Sequence, residues 1–77
     1  MRYIGHILRN GRVVERSLRV NLRVRGRRFN GEFQLPKNTS IYLGGYELRL
    51  QDGRSGKIMI NVIDGQTASF DGDGVLK

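Results

Sequence analysis

Apolar residues alternate with polar ones across residues 18 to 35. They fall at Leu18, Val20, Leu22 and Val24, and again at Phe29, Phe33 and Leu35. A period of two marks a strand buried on one face. Gly26 and Arg27, between the two runs, fit a type II′ turn, which takes glycine at its first central position. That turn sets Val24 opposite Phe29, Leu22 opposite Gly31, Val20 opposite Phe33 and Leu18 opposite Leu35 on an apolar face. The other face pairs Arg25 with Arg28, Arg23 with Asn30, Asn21 with Glu32 and Arg19 with Gln34. A slip of one residue would carry the whole apolar set into water, so the pattern fixes the register.

Upstream, residues 2 to 9 read as a strand followed by Asn10-Gly11. Asn-Gly is the strongest short hairpin signal, because a type I′ turn needs positive φ at both central residues. A two-residue loop there pairs Leu8 with Val13, Ile7 with Val14, His6 with Glu15, Gly5 with Arg16 and Tyr3 with Leu18. The second strand then runs on into the basic hairpin, with a bend or bulge near Arg16. A helix over the same residues is disfavoured by the β-branched Val13, Val14, Val20 and Val24 and by the lack of an N-cap. Pro36 cannot donate to a ladder and closes the third strand. The connection from Pro36 to Gly45 holds Ile41, Tyr42 and Leu43, and is expected to drop one or two of these side chains into the core.

In the second half, Tyr46, Leu48 and Leu50 alternate with Glu47, Arg49 and Gln51. After a turn around residues 52 to 56, Ile58, Ile60 and Val62 return opposite Leu50, Leu48 and Tyr46. Met59 and Ile63 make the back of that strand apolar too, which predicts that it is covered on both sides. Asp64-Gly65 signals a further tight turn. One bulge residue after it sets Ala68 and Phe70 beside Val62 and Ile60 in the core, where Phe70 belongs by size. The pattern therefore predicts an all-β chain of five to seven antiparallel strands built from consecutive hairpins, as a small barrel or a two-layer sandwich. Its predicted core is Val20, Leu22, Val24, Phe29, Phe33, Leu48, Ile58, Ile60 and Val62.

A length of 77 residues predicts one domain, 1–77. There is no cysteine, which excludes disulfides and thiolate metal sites and fits a reducing, cytoplasmic setting. No stretch approaches the roughly 20 apolar residues of a membrane helix. Gly5 and His6 interrupt any N-terminal apolar run, so neither a signal peptide nor a membrane partner is expected. The net charge of +7 is uneven. Residues 1 to 37 carry ten cations against two acids, whereas residues 38 to 77 carry four against five. Such asymmetry points to an anionic partner, nucleic acid among them, with a merely solvated basic face as the plainer alternative.

Chemistry is sparse. His6 is the sole histidine, and no nucleophile or second histidine accompanies it. Asp71-Gly72-Asp73-Gly74 lacks the remaining ligands of a calcium loop. The glycines match no phosphate-loop spacing. No catalytic residue, metal, cofactor or small-molecule substrate is expected. Arg19, Arg23, Arg25 and Arg28 share one face of the hairpin, with Asn21 and Asn30 between them. Guanidinium forks suit phosphate, and amides can reach sugar or base edges. Phe29 and Phe33 point to the core, which leaves this face without an aromatic for stacking; the pattern does not place Tyr3 or Tyr42. The expectation is a small non-catalytic binding module that contacts nucleic-acid phosphates with little sequence preference. The competing expectation is a protein-protein or homo-oligomeric assembly module that uses Met59 and Ile63 as its interaction face.

Overall fold

The computed structural model describes residues 2–77. It has six strands: β1 (Arg2–Arg9), β2 (Arg12–Arg25), β3 (Arg28–Gln34), β4 (Gly44–Leu50), β5 (Ser55–Asp64) and β6 (Thr67–Asp73). All neighbours are antiparallel, and the order β1-β2-β3-β6-β5-β4 closes because β1 also pairs with β4. The sheet is therefore a barrel and not a sandwich. Closure leaves no long open edge, which a small sheet otherwise has to protect. Among the described residues no helix is long and apolar enough to cross a membrane.

The β2–β3 hairpin has the register that the apolar alternation predicts, from Val20 opposite Phe33 to Arg25 opposite Arg28. Gly26 has φ of 62°, as the first central residue of a type II′ turn requires. Gly31, the one gap in the apolar face, is filled from the next strand. Phe70 lies opposite it on β6, with Cζ 3.1 Å from where a Cβ would stand. Phe70 also packs on Phe33 at 5.9 Å and edge-on to Phe29 at 6.4 Å. These rings, with Ile7, Leu18, Val20, Leu48, Ile58 and Ile60, fill the barrel.

Of the predicted core, Val24 and Val62 are outside it, at 55% and 53% exposure. Val24 has core-facing parity, but the described part of β1 reaches only to Arg2 opposite Asn21, so the hairpin tip projects past the barrel end. Its partner Phe29 stays buried because it leans over Gly72 and Gly56, where a Cβ would strike its ring. Val62 is turned out by a bulge at Asn61. The predicted bulge exists, and Phe70 does pair with Ile60, but Ala68 pairs with Ile63. Parity reverses after the extra residue, so Ile63 packs toward the core and Val62 faces water.

Two other registers differ from expectation. Asn10 and Gly11 have φ of 53° and 77°, as a type I′ turn demands, and Leu8 pairs with Val13. Beyond that point β2 carries two extra residues, one where a bulge near Arg16 is expected and one unforeseen at Val14, so Ile7 faces Glu15, Gly5 faces Leu18 and Tyr3 faces Val20. The expected pairs of Ile7 with Val14, His6 with Glu15, Gly5 with Arg16 and Tyr3 with Leu18 do not form. In β4–β5, Tyr46 faces Ile58 and Leu48 faces Gly56, not Val62 and Ile60. The turn is tighter than expected: the Leu50 N–H donates to the Arg54 carbonyl and the Gly53 N–H to the Leu50 carbonyl. This shift is even, so Tyr46, Leu48, Leu50, Ile58 and Ile60 still point inward.

The 36–43 connection forms neither strand nor helix. Ile41 packs on the core, while Tyr42 and Leu43 are exposed. At the other end of the barrel, Lys77 exchanges backbone hydrogen bonds with Ser55, and Leu76 packs against the core.

Candidate functional site

The outward positions of β2 and β3 bring all six predicted binding residues onto one face, but not in one chemical state. Arg23 is committed. Its Nη2 lies 2.7 Å and its Nη1 3.1 Å from the two Glu32 carboxylate oxygens, and its Nε donates to Asn30 Oδ1 at 2.9 Å. Asn21 Nδ2 donates to the same carboxylate at 2.9 Å. Arg23, Asn21, Asn30 and Glu32 thus form a closed cross-strand network. The Arg23 hydrogen bond holds the Glu32 carboxyl below its ordinary range, and Glu32 in turn holds the guanidinium more firmly protonated. An arginine so neutralised has little charge left to offer a ligand.

Arg25 and Arg28 are the opposite case. They face each other across the last rung before the turn, and neither meets a carboxylate among the described residues. Like charges directly opposed cost stability. Arg19 sits on the same face of β2 opposite Ile4, likewise without an ion pair among the described residues. Beside Arg19, a shallow cleft of about 300 Å³ runs between Arg2, Asn21 and Gln34.

The structure adds two residues that the alternation could not place. A groove of about 840 Å³ runs between the hairpin tip and the β4–β5 turn. The hairpin supplies Leu22, Arg23, Val24, Arg25, Arg28 and Asn30 to its lining, β1 supplies Tyr3, and the β4–β5 turn supplies Arg54. The Arg54 guanidinium lies over the Tyr3 ring, 5.1 Å from its centroid. Asp52 fixes it: its Oδ2 takes a hydrogen bond from Arg54 Nε at 3.0 Å, and its Oδ1 takes one from the Arg54 backbone N–H at 3.0 Å. These bonds depress the Asp52 carboxyl and raise the guanidinium. The available signal was the Asp52-Gly53-Arg54 spacing, since an Asp in a turn binds the backbone two residues on.

His6 has a structural partner. Its Nδ1 accepts the Ser17 backbone N–H at 3.0 Å, where Ser17 has φ of 54° in the β2 bulge. Met59 is 45% exposed, so the described residues do not cover the back of β5, contrary to the expectation that it is covered on both sides. Ile63 turns toward the core, and the exposed apolar neighbour on β5 is Val62. Asp71 accepts from Asn61 Nδ2 at 2.6 Å, and Asp73 lies opposite Lys57. Among the described residues no group of three His, Cys, Asp or Glu side chains could hold a metal ion. Comparison with known proteins finds no matching family model, no matching curated protein and no matching solved structure.

Proposed function

We propose that this barrel is a non-catalytic binding module whose β2–β3 hairpin holds nucleic-acid phosphates with little sequence preference. One observation carries the reading: Arg25 and Arg28 are opposed at the hairpin tip, and neither has an ion pair among the described residues. A phosphate bridging the two forks would turn their repulsion into charge-assisted hydrogen bonds. Arg19 extends the positive track along β2, and the Arg23–Glu32 network stiffens the hairpin that presents it. A cytoplasmic setting fits the cysteine-free composition.

The test is a salt titration of DNA binding. Each phosphate neutralised on B-form DNA adds about −0.9 to the slope of log K against log salt, so three contacts give about −2.7. Replacing Arg19, Arg25 and Arg28 by Ala should flatten the slope by about that amount. Replacing Arg9, Arg12 and Arg16, on the opposite hairpin, removes the same charge and should do much less. Equal losses from the two triple variants, or no binding by the wild type at about 0.1 M salt, where screening acts over about 10 Å, would overturn the proposal.

A second reading, self-association through the outer face of β5, is favoured by the exposure of Met59 and Val62. Sedimentation tests it. A wild-type dimer that Met59→Glu converts to monomer supports it, since an unpaired charge is costly at an interface. A monomeric wild type removes it.

A further inference from the structure

We infer that the groove between the hairpin tip and the β4–β5 turn takes a single-stranded segment of nucleic acid, with an unstacked base lying on the Arg54 guanidinium. This rests on the phosphate-binding reading and narrows its ligand from nucleic acid in general to an unpaired strand. The groove offers two kinds of recognition side by side. Arg25 and Arg28 supply charge without an acid partner. Arg54 supplies a plane: its guanidinium is fixed over Tyr3, and Asp52 holds its edge and offsets its charge. A cation neutralised in this way is a weak phosphate ligand. Its side chain is 37% exposed, which leaves guanidinium surface on which a base can stack. Bases stack on arginine planes as they do on aromatic rings, but only when they are not already stacked in a duplex. Tyr3 itself packs against the core, so Arg54 and not the ring is the accessible surface.

Asn30 completes the site. Its Oδ1 accepts from Arg23, which orients the amide, and its Nδ2 makes no hydrogen bond among the described residues. That amide is a fixed donor in the groove wall. A base edge or a sugar oxygen would satisfy it. A duplex presents phosphates to such a groove but cannot reach the Arg54 plane without unpairing.

The experiment uses fluorescence anisotropy with three labelled oligonucleotides of equal length: a single-stranded DNA, its abasic counterpart and the duplex. The single strand should bind at least about fivefold tighter than the abasic strand, the low end for stacking one base. It should also bind tighter than the duplex. Arg54→Lys keeps the charge and loses the plane, so it should erase the advantage over the abasic strand while the salt slope set by Arg25 and Arg28 persists. Equal affinity of wild type for intact and abasic strands overturns the inference and leaves the phosphate reading standing. Preference for the duplex does the same. A polyglutamate peptide that displaces the single strand at equal concentration assigns the groove to an acidic protein and overturns the inference. Loss of all binding at moderate salt removes both readings. If Arg54→Lys does not fold, the abasic comparison on the wild type decides alone.

Discussion

Gly31→Ala is the sharpest test of the barrel. Gly31 sits between Leu22 on β2 and Phe70 on β6. An added Cβ would overlap the Asn21 carbonyl oxygen and lie 3.1 Å from Phe70 Cζ. A ring tip can swing aside, but a main-chain carbonyl moves only if β2 and β3 separate at that rung. Overpacking usually costs about 1–3 kcal/mol, and a backbone obstacle belongs at the top of that range. At roughly 0.05–0.15 kcal/mol per residue, a chain of this length holds about 4–12 kcal/mol. A loss near 3 kcal/mol, at about 4–8 °C per kcal/mol, lowers the melting midpoint by about 12–24 °C. Gly45→Ala is the control, because a Cβ there meets nothing within 4 Å and its φ is not positive. It should leave the midpoint unchanged or raise it slightly, by about 0.4–1 kcal/mol through the unfolded chain. Thermal unfolding followed by circular dichroism measures both. Equal midpoints for the two variants would refute the argument. So would rescue of Gly31→Ala by Phe70→Leu, since that would make the ring the obstacle and not the carbonyl.

Phe33→Ala should cost about 3–5 kcal/mol, a large share of the stability, whereas Val24→Ala should stay within about 0.5 kcal/mol; urea midpoints compare them. Because Arg23 holds the Glu32 carboxyl low, its contribution is complete above the ordinary Glu value of about 4.3 and is lost as pH falls through the depressed folded value. Urea midpoints from neutral pH downward should therefore show a wild-type advantage over Glu32→Gln that is constant near neutrality and shrinks in acid; a constant gap throughout would contradict the linkage. His6→Ala removes the acceptor for the Ser17 N–H and should cost about 0.5–1.5 kcal/mol, read from the same midpoints.

Much of the barrel was legible because period two is so constraining. The β2–β3 hairpin could be registered residue by residue, since a single slip would have exposed Val20, Leu22, Phe29 and Phe33 together. Elsewhere the parity of a strand was readable but its offset was not. In β4–β5 a shift by an even number of residues kept Tyr46, Leu48 and Ile58 inward, so the apolar pattern could not distinguish the true turn from a longer one. Bulges hid more. A bulge near Arg16 and one in the β5–β6 hairpin were readable, but the residues that carry them were not, and the bulge at Asn61 exchanges Val62 for Ile63 on the inner face. Closure was beyond reach because it rests on β1 meeting β4, and no hairpin joins those two strands.

The site shows a deeper limit. Sequence reveals where arginines lie along a strand, and alternation places Arg19, Arg23, Arg25 and Arg28 on one face. It does not reveal how much of each charge is left to offer. That depends on the cross-strand neighbour one rung away: Arg23 reaches diagonally to Glu32, while Arg25, two residues on, faces only Arg28. Four apparent equivalents become one ion-paired strut and three cations with no ion pair among the described residues. The same logic brings in Arg54, which is distant in sequence and was read as a turn residue. Closure of the barrel carries the β4–β5 turn beside Tyr3 on β1, and Asp52 then converts a flexible cation into a fixed plane. Free charge on the hairpin and neutralised charge across the groove are different tools, and their separation is what lets the proposed phosphate contacts and the proposed base stacking be tested one at a time.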